Sequence, residues 1–202
     1  VRVSINGGAS FGPATTVGTG WDPVVAVGKG VVYLGYQSII GGSTGVTIRR
    51  SNDAGASWKS SADITTSSYR TGGLSLTAAG STAYVAYGDH DFDAADVETS
   101  WVRVHRTSDK GKAWTRGKNV TSSALGSQAS DPVVSLKGGV ARVVYSRPGP
   151  TIWYSESPDG KVWSAEQQVT PGSDTPLGVG YASRSIALYA AGGNVFVRTA
   201  TP

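Results

Sequence analysis

The stretch from Gly88 to Ser100 holds the residues in this chain best suited to chemistry: Asp89, His90, Asp91, Asp93, Asp96 and Glu98. Five carboxylates this close together repel one another unless something cationic neutralises them. The alternation Asp89-x-Asp91-x-Asp93 suits oxygen coordination of a hard cation, calcium first. It departs from the helix–loop–helix calcium loop: Ala94 stands where that loop turns on glycine, and no glutamate follows at the twelfth position. The same loop could supply a general acid and a general base. Two carboxyl groups about 5 to 9 Å apart are what hydrolysis of a glycosidic bond requires. A solvated acidic loop with neither role is the plain alternative.

Other candidates are dispersed. Asp22 and Asp131 each precede a proline at the head of an apolar run, in Trp21-Asp22-Pro23 and Ser130-Asp131-Pro132. Arg70 and Arg184 lie near the corresponding positions of two further runs, and Arg147 sits on a proline turn. These arginines are candidate ligand contacts, because a guanidinium pairs bidentately with carboxylates. Tyr36, Tyr87 and Tyr145 recur near strand ends, where an aromatic face could stack on a sugar or simply pack. His90 and His105 share no metal-ligand spacing, and His105 reads as a strand residue within Trp101-Val102-Arg103-Val104-His105-Arg106.

The elements that must position these residues are strands. Apolar residues recur at a period near two, and glycine, threonine, valine and tyrosine are abundant, which suits pleated strands joined by tight turns. Ser51-Asn52-Asp53-Ala54-Gly55-Ala56-Ser57-Trp58 returns at 107–114 and, one residue shorter, at 157–163, while 4–11 reads as a degenerate fourth copy. Upstream, 21–36 aligns without a gap on 130–145, and 72–87 and 184–200 follow the same strand, glycine turn, strand plan. Four antiparallel strands in about 50 residues is the signature of a propeller blade. The expected fold is therefore all-β: one domain over 1–202, a small β-propeller of four-stranded antiparallel blades. The first residues read as strand three and its turn, and 184–200 as strands one and two. The two halves would complete one blade, giving four blades closed by strands from both termini. Closure by pairing with a second chain, a homo-oligomer, is the alternative.

Composition removes several function classes. Absence of cysteine excludes disulfides, thiol catalysis and Cys-ligated zinc. A formal net charge of +4 is spread thinly, with no run longer than Arg49-Arg50, so no phosphate-tracking stripe exists and nucleic acid is not an expected partner. No segment approaches the roughly 18 apolar residues of a membrane span. The chain contains no methionine and begins at Val1, so the expectation is a removed leader or a longer parent, and an extracellular location.

The Ser-x-Asp-x-Gly-x-x-Trp spacing resembles the Asp-box (BNR) repeats of sialidases and other extracellular propellers. The resemblance covers most of the chain. It implies that Asp53, Asp109 and Asp159 form turns away from the functional face, and that Trp58, Trp114 and Trp163 pack between blades. It does not extend to a true sialidase. The Arg-Ile-Pro motif that opens a first strand in those enzymes is missing, and Asp22 or Asp131 stands there, where it would repel a substrate carboxylate. The Asp-Pro pair also looks like the base-bearing motif of five-bladed glycosidases acting on arabinans and fructans. Its occurrence at two equivalent positions fits a capping role instead. The resemblance thus implies a carbohydrate-binding, lectin-like propeller. The alternatives are a glycoside hydrolase using Asp89 or Glu98 with Asp22 or Asp131, and an assembly module.

Overall fold

The computed structural model describes residues 1–65, 70–92, 97–122, 128–149, 151–170, 175–181, 185–191 and 194–199, the last three segments by their backbone. All regular structure among these residues is β-strand, arranged as four antiparallel sheets in chain order. Sheet I comprises β1 (Trp21–Gly28), β2 (Val31–Ile40), β3 (Ser43–Ser51) and β4 (Lys59–Thr65). Sheet II comprises β5 (Arg70–Ala79), β6 (Thr82–Phe92), β7 (Glu98–Thr107) and β8 (Lys118–Asn119). Sheet III comprises β9 (Ser130–Lys137), β10 (Val140–Arg147), β11 (Thr151–Ser157) and β12 (Gln167–Gln168). Sheet IV has three strands, β13 (Thr175–Tyr181), β14 (Ser185–Ala191) and β15 (Asn194–Thr199).

The hairpin opening each of the first three sheets has a two-residue loop: Lys29-Gly30, Gly80-Ser81 and Gly138-Gly139. Such loops match the twist of their strands only with left-handed residues, and Gly30 (φ 69°) and Gly80 (φ 59°) supply them. The first strands stack in order, β1 on β5, β5 on β9 and β9 on β13. Sheets therefore meet face to face, and second strands are apolar on both sides. Between sheets I and II, Val46, Ile48 and Tyr33 pack against Val85, Leu76 and Ala83. Tyr84, Ala86 and Val102 meet Val134, Ala141 and Val143 between sheets II and III.

The recurring polar turn joins the third strand to the fourth. Its wiring is local and repeats. Ser51 Oγ donates to Asp53 Oδ1 at 2.6 Å and accepts from Gly55 N at 2.7 Å, while Ser57 N donates to Asp53 Oδ1 at 2.8 Å. Thr107, Asp109, Gly111 and Ala113 repeat the set, as do Ser157, Asp159, Gly160 and Val162. Ser4, Asn6, Gly8 and Ser10 repeat it with an amide oxygen in place of the carboxylate. Donors converging on the carboxylates hold them ionised. Hydrogen bonds from Ser51 and Ser57 lower Asp53 to about 2, and bonds led by Ala113 N–H and Lys161 N–H lower Asp109 and Asp159.

The second and third turns also dock on the sheet before them. Arg50 and Ser61 of sheet I donate to Lys110 O (3.0 Å) and Gly111 O (2.6 Å), and Trp114 Nε1 donates to Ser61 Oγ at 2.9 Å. The Trp114 indole meets Tyr33 edge-on at 6.2 Å. Trp163 packs likewise on the cluster containing Tyr84.

Two expectations about the ends are corrected. Residues 184–200 were expected to hold the first and second strands of a blade, but β13 occupies the place against β9, so β14 and β15 are second and third. The signal of β13 is diluted by Pro176, Gly178 and Gly180, which interrupt its alternation. Residues 1–20 form no strand. Val1 and Thr15 exchange backbone hydrogen bonds of 2.8 Å, and Gly12 N donates to Val3 O at 2.9 Å. This self-paired loop rests on sheet I beside Gly55 and Trp58. No ladder joins it to β15 among the described residues.

Candidate functional site

The first strands of sheets I to III begin with the same irregularity. Asp22 and Pro23 together face Tyr36, Gly73 and Leu74 face Tyr87, and Asp131 and Pro132 face Tyr145. These are bulges, which re-aim a side chain at the end of a ladder. The leading residue of each is left-handed: Asp22 at φ 48°, Gly73 at φ 54° and Asp131 at φ 51°. A residue before proline prefers extended backbone, so each aspartate holds a conformation unfavourable by about 1–3 kcal/mol. Sheet II has glycine here for a second reason: a Cβ on Gly73 would lie 2.6 Å from the Cα of Asp131.

Both aspartates are exposed and anchored. Gln37, itself 3% exposed, donates from Nε2 to Asp22 Oδ2 at 3.0 Å and accepts from Thr71 Oγ1 at 3.1 Å. Ser130 Oγ donates to Asp131 Oδ2 at 2.8 Å and lies 2.8 Å from Ser146 Oγ. The serine pair lines a cavity of about 480 Å³ between sheets II and III, with His90, Glu98, Ser100 and Gln128 opposite. His90 Nδ1 lies 3.0 Å from Glu98 Oε1.

Other candidates are placed elsewhere. Tyr36, Tyr87 and Tyr145 are all at most 6% exposed, so each side chain is packed largely inside the protein. Tyr87 Oη donates to His105 Nε2 at 3.1 Å, while His105 Nδ1 donates to Thr115 O at 2.9 Å. Burial pushes Tyr87 up and lowers His105 to about 4, so His105 is neutral at ordinary pH. Tyr145 Oη donates to Glu166 at 2.6 Å.

Arg147 reaches the cavity wall, but its guanidinium is engaged by Glu166: Nε to Oε2 at 2.9 Å and Nη2 to Oε1 at 3.0 Å. Both side chains are under 5% exposed. Burial alone would raise Glu166, but bonds from Tyr145, Ser122 N–H and Arg147 outweigh it, and its pKa is lowered. Arg147 Nη2 also donates to Ser122 O at 3.1 Å, so the pair ties sheet III to the segment arriving from sheet II. Nothing in the sequence pairs residues nineteen apart on opposite sides of a turn, and this clasp was missed.

In the acidic loop, Asp89 is buried and ion-paired with Arg103. Asp91 accepts from Phe92 N at 2.9 Å. Among the described residues no three His, Cys, Asp or Glu side chains converge on a metal position. Arg70 opens β5 opposite His90 in the ladder. Asp93 and Arg184 lie outside the described residues.

No protein-family model matches the chain, and no curated protein matches it in sequence. Solved structures do. Trypanosoma rangeli sialidase, in complex with 2,3-difluorosialic acid, superposes with TM-score 0.59 at 15% identity, covering 88% of this chain and 35% of that one. The fold is that of a β-propeller. A Bacteroides ovatus GH43B protein of a xyloglucan locus gives TM-score 0.56 at 14% identity, covering 91% of this chain and 39% of that one. Penicillium chrysogenum α-L-arabinanase complexed with arabinobiose gives 0.52 at 15%, covering 84% and 59%. This propeller thus spans well under two thirds of each. No helix among its described residues is long and apolar enough to cross a membrane.

Proposed function

We propose that this chain is an exported, lectin-like propeller of the Asp-box type that recognises carbohydrate on the face bearing Asp22 and Asp131. The observation that carries the reading is the pair of exposed, left-handed aspartates, each anchored by a neutral donor and each unfavourable for the backbone. Strain of this kind is retained where the side chain has work to do. Carbohydrate-acting propellers among the structural neighbours support the ligand class. The test is a glycan-array screen of the purified chain, in calcium and again with chelator, repeated with Asp22→Asn and Asp131→Asn. The expected result is glycan binding that at least one substitution weakens tenfold or more. Loss with chelator would bring a cation at Asp89, Asp91 and Asp93 into the site. Product release abolished by D131N while binding survives would make the protein a glycoside hydrolase. Silence in both buffers refutes the reading.

One observation favours assembly as a second role. Val25 and Val27 on β1 are 64% and 65% exposed, whereas Val134, the equivalent of Val25 in sheet III, is 5% exposed beneath sheet II. The repeat itself specifies what covers such a face: the far side of a preceding sheet. The far side of a sheet in a second copy offers such a surface, head to tail. Mass should rise with concentration in light scattering, and Val25→Glu with Val27→Glu should abolish the rise. A concentration-independent monomer mass overturns this reading.

A further inference from the structure

The charge lining the cavity between sheets II and III constrains what it can hold, and on the carbohydrate reading above we infer that the site selects neutral or amine-bearing sugars and rejects acidic ones. Its volume of about 480 Å³ lies within the range of small-molecule sites. Ser100, Ser130, Ser146 and Gln128 both donate and accept, which is what an array of sugar hydroxyls requires.

Charge decides the rest. Arg147 is the one permanent cation among the described side chains of the wall, and its Nε and Nη2 are held by Glu166, with Nη2 also donating to Ser122 O. Glu166 is kept ionised by its donors, so the guanidinium is neutralised where it stands. Extracting it for a ligand would leave a buried, unpaired carboxylate, which is strongly destabilising. The acidic side chain lining the space is Glu98, which lies against His90 Nδ1, and Asp131 is bonded to the lining residue Ser130. A ligand carboxylate entering here meets like charge at Glu98, whereas an ammonium finds the Glu98 carboxylate in the wall and Asp131 next to Ser130. Discrimination therefore arises from a repulsive element as much as an attractive one.

The experiment uses glycan pairs that differ only in one acidic residue: each sialylated or uronate-terminated glycan beside its counterpart without that residue, with glucosamine-terminated and N-acetylated glycans as a third comparison. The expected result is that removing the acid raises binding at least tenfold, and that a free amine binds better than its acetylated form. Glu98→Gln, a change at a partly exposed position, should narrow the amine preference several-fold, read as the ratio of free-amine to N-acetylated glycan binding. Binding that requires the acid, or that Arg70→Ala abolishes for acidic glycans, overturns the inference and leaves carbohydrate recognition standing. Absence of binding to every member of every pair overturns both.

Discussion

His105 shows how one buried side chain sets a property of the molecule. Its ring is 8% exposed, accepts from Tyr87, donates to Thr115 and touches Gly117, so no room remains for the water a charged imidazole would need. The folded pKa of about 4 lies below the ordinary 6.5, so between these values the unfolded chain binds the proton and the folded chain does not. Stability contributed by neutral His105 is thus complete above about pH 6.5 and is lost as pH falls toward 4, by on the order of 3 kcal/mol. Urea midpoints taken from pH 7 to pH 4 should decline accordingly, and His105→Gln should flatten that limb. An unchanged slope in the variant would assign the decline to other groups.

At the scale of the element, the turns differ in what their tryptophans cover. Trp114 fills the seam over Tyr33 and bonds Ser61 across it, whereas the Trp58 indole donates within its own turn, to Gly55 O at 3.1 Å. Trp114→Ala should therefore destabilise by about 3–5 kcal/mol and Trp58→Ala by clearly less, read as paired denaturant midpoints at constant slope. Equal losses would mean that the tryptophans serve only their own hairpins. The strands and turns were legible in the sequence because their causes are local: alternation, a glycine pair, a hydroxyl two residues before a carboxylate. β13 was not, since Pro176 and two glycines mask its period. Nor were the burial of Tyr36, Tyr87 and Tyr145 and the Arg147–Glu166 clasp, because each depends on what a neighbouring sheet brings up. Of the site, Asp22, Asp131 and Glu98 were readable as chemistry, whereas Ser130, Ser146 and Gln128 carry no motif.

For the molecule as a whole, a second acid limb should follow the first. Asp53, Asp109, Asp159 and Glu166 all have lowered folded values, so their contribution is present above the ordinary carboxylate range near pH 4 and is lost as pH falls through the folded values. Unfolding below pH 4 should thus persist in His105→Gln, with the two limbs separable in one pH series. A variant that stayed folded at pH 2 would contradict the role given to the turns.

The docking of the second and third turns on the preceding sheets has a consequence for biosynthesis. Trp114 reaches back 53 residues to Ser61, and the third turn reaches back to Tyr84 in the same sense. A ribosome delivers the chain in that order, so the newest sheet to emerge always has an open seam until the next turn arrives. The second repeat thus covers the first, and the third covers the second. A product that ended after sheet I or sheet II would leave the seam at Tyr33 or Tyr84 uncovered.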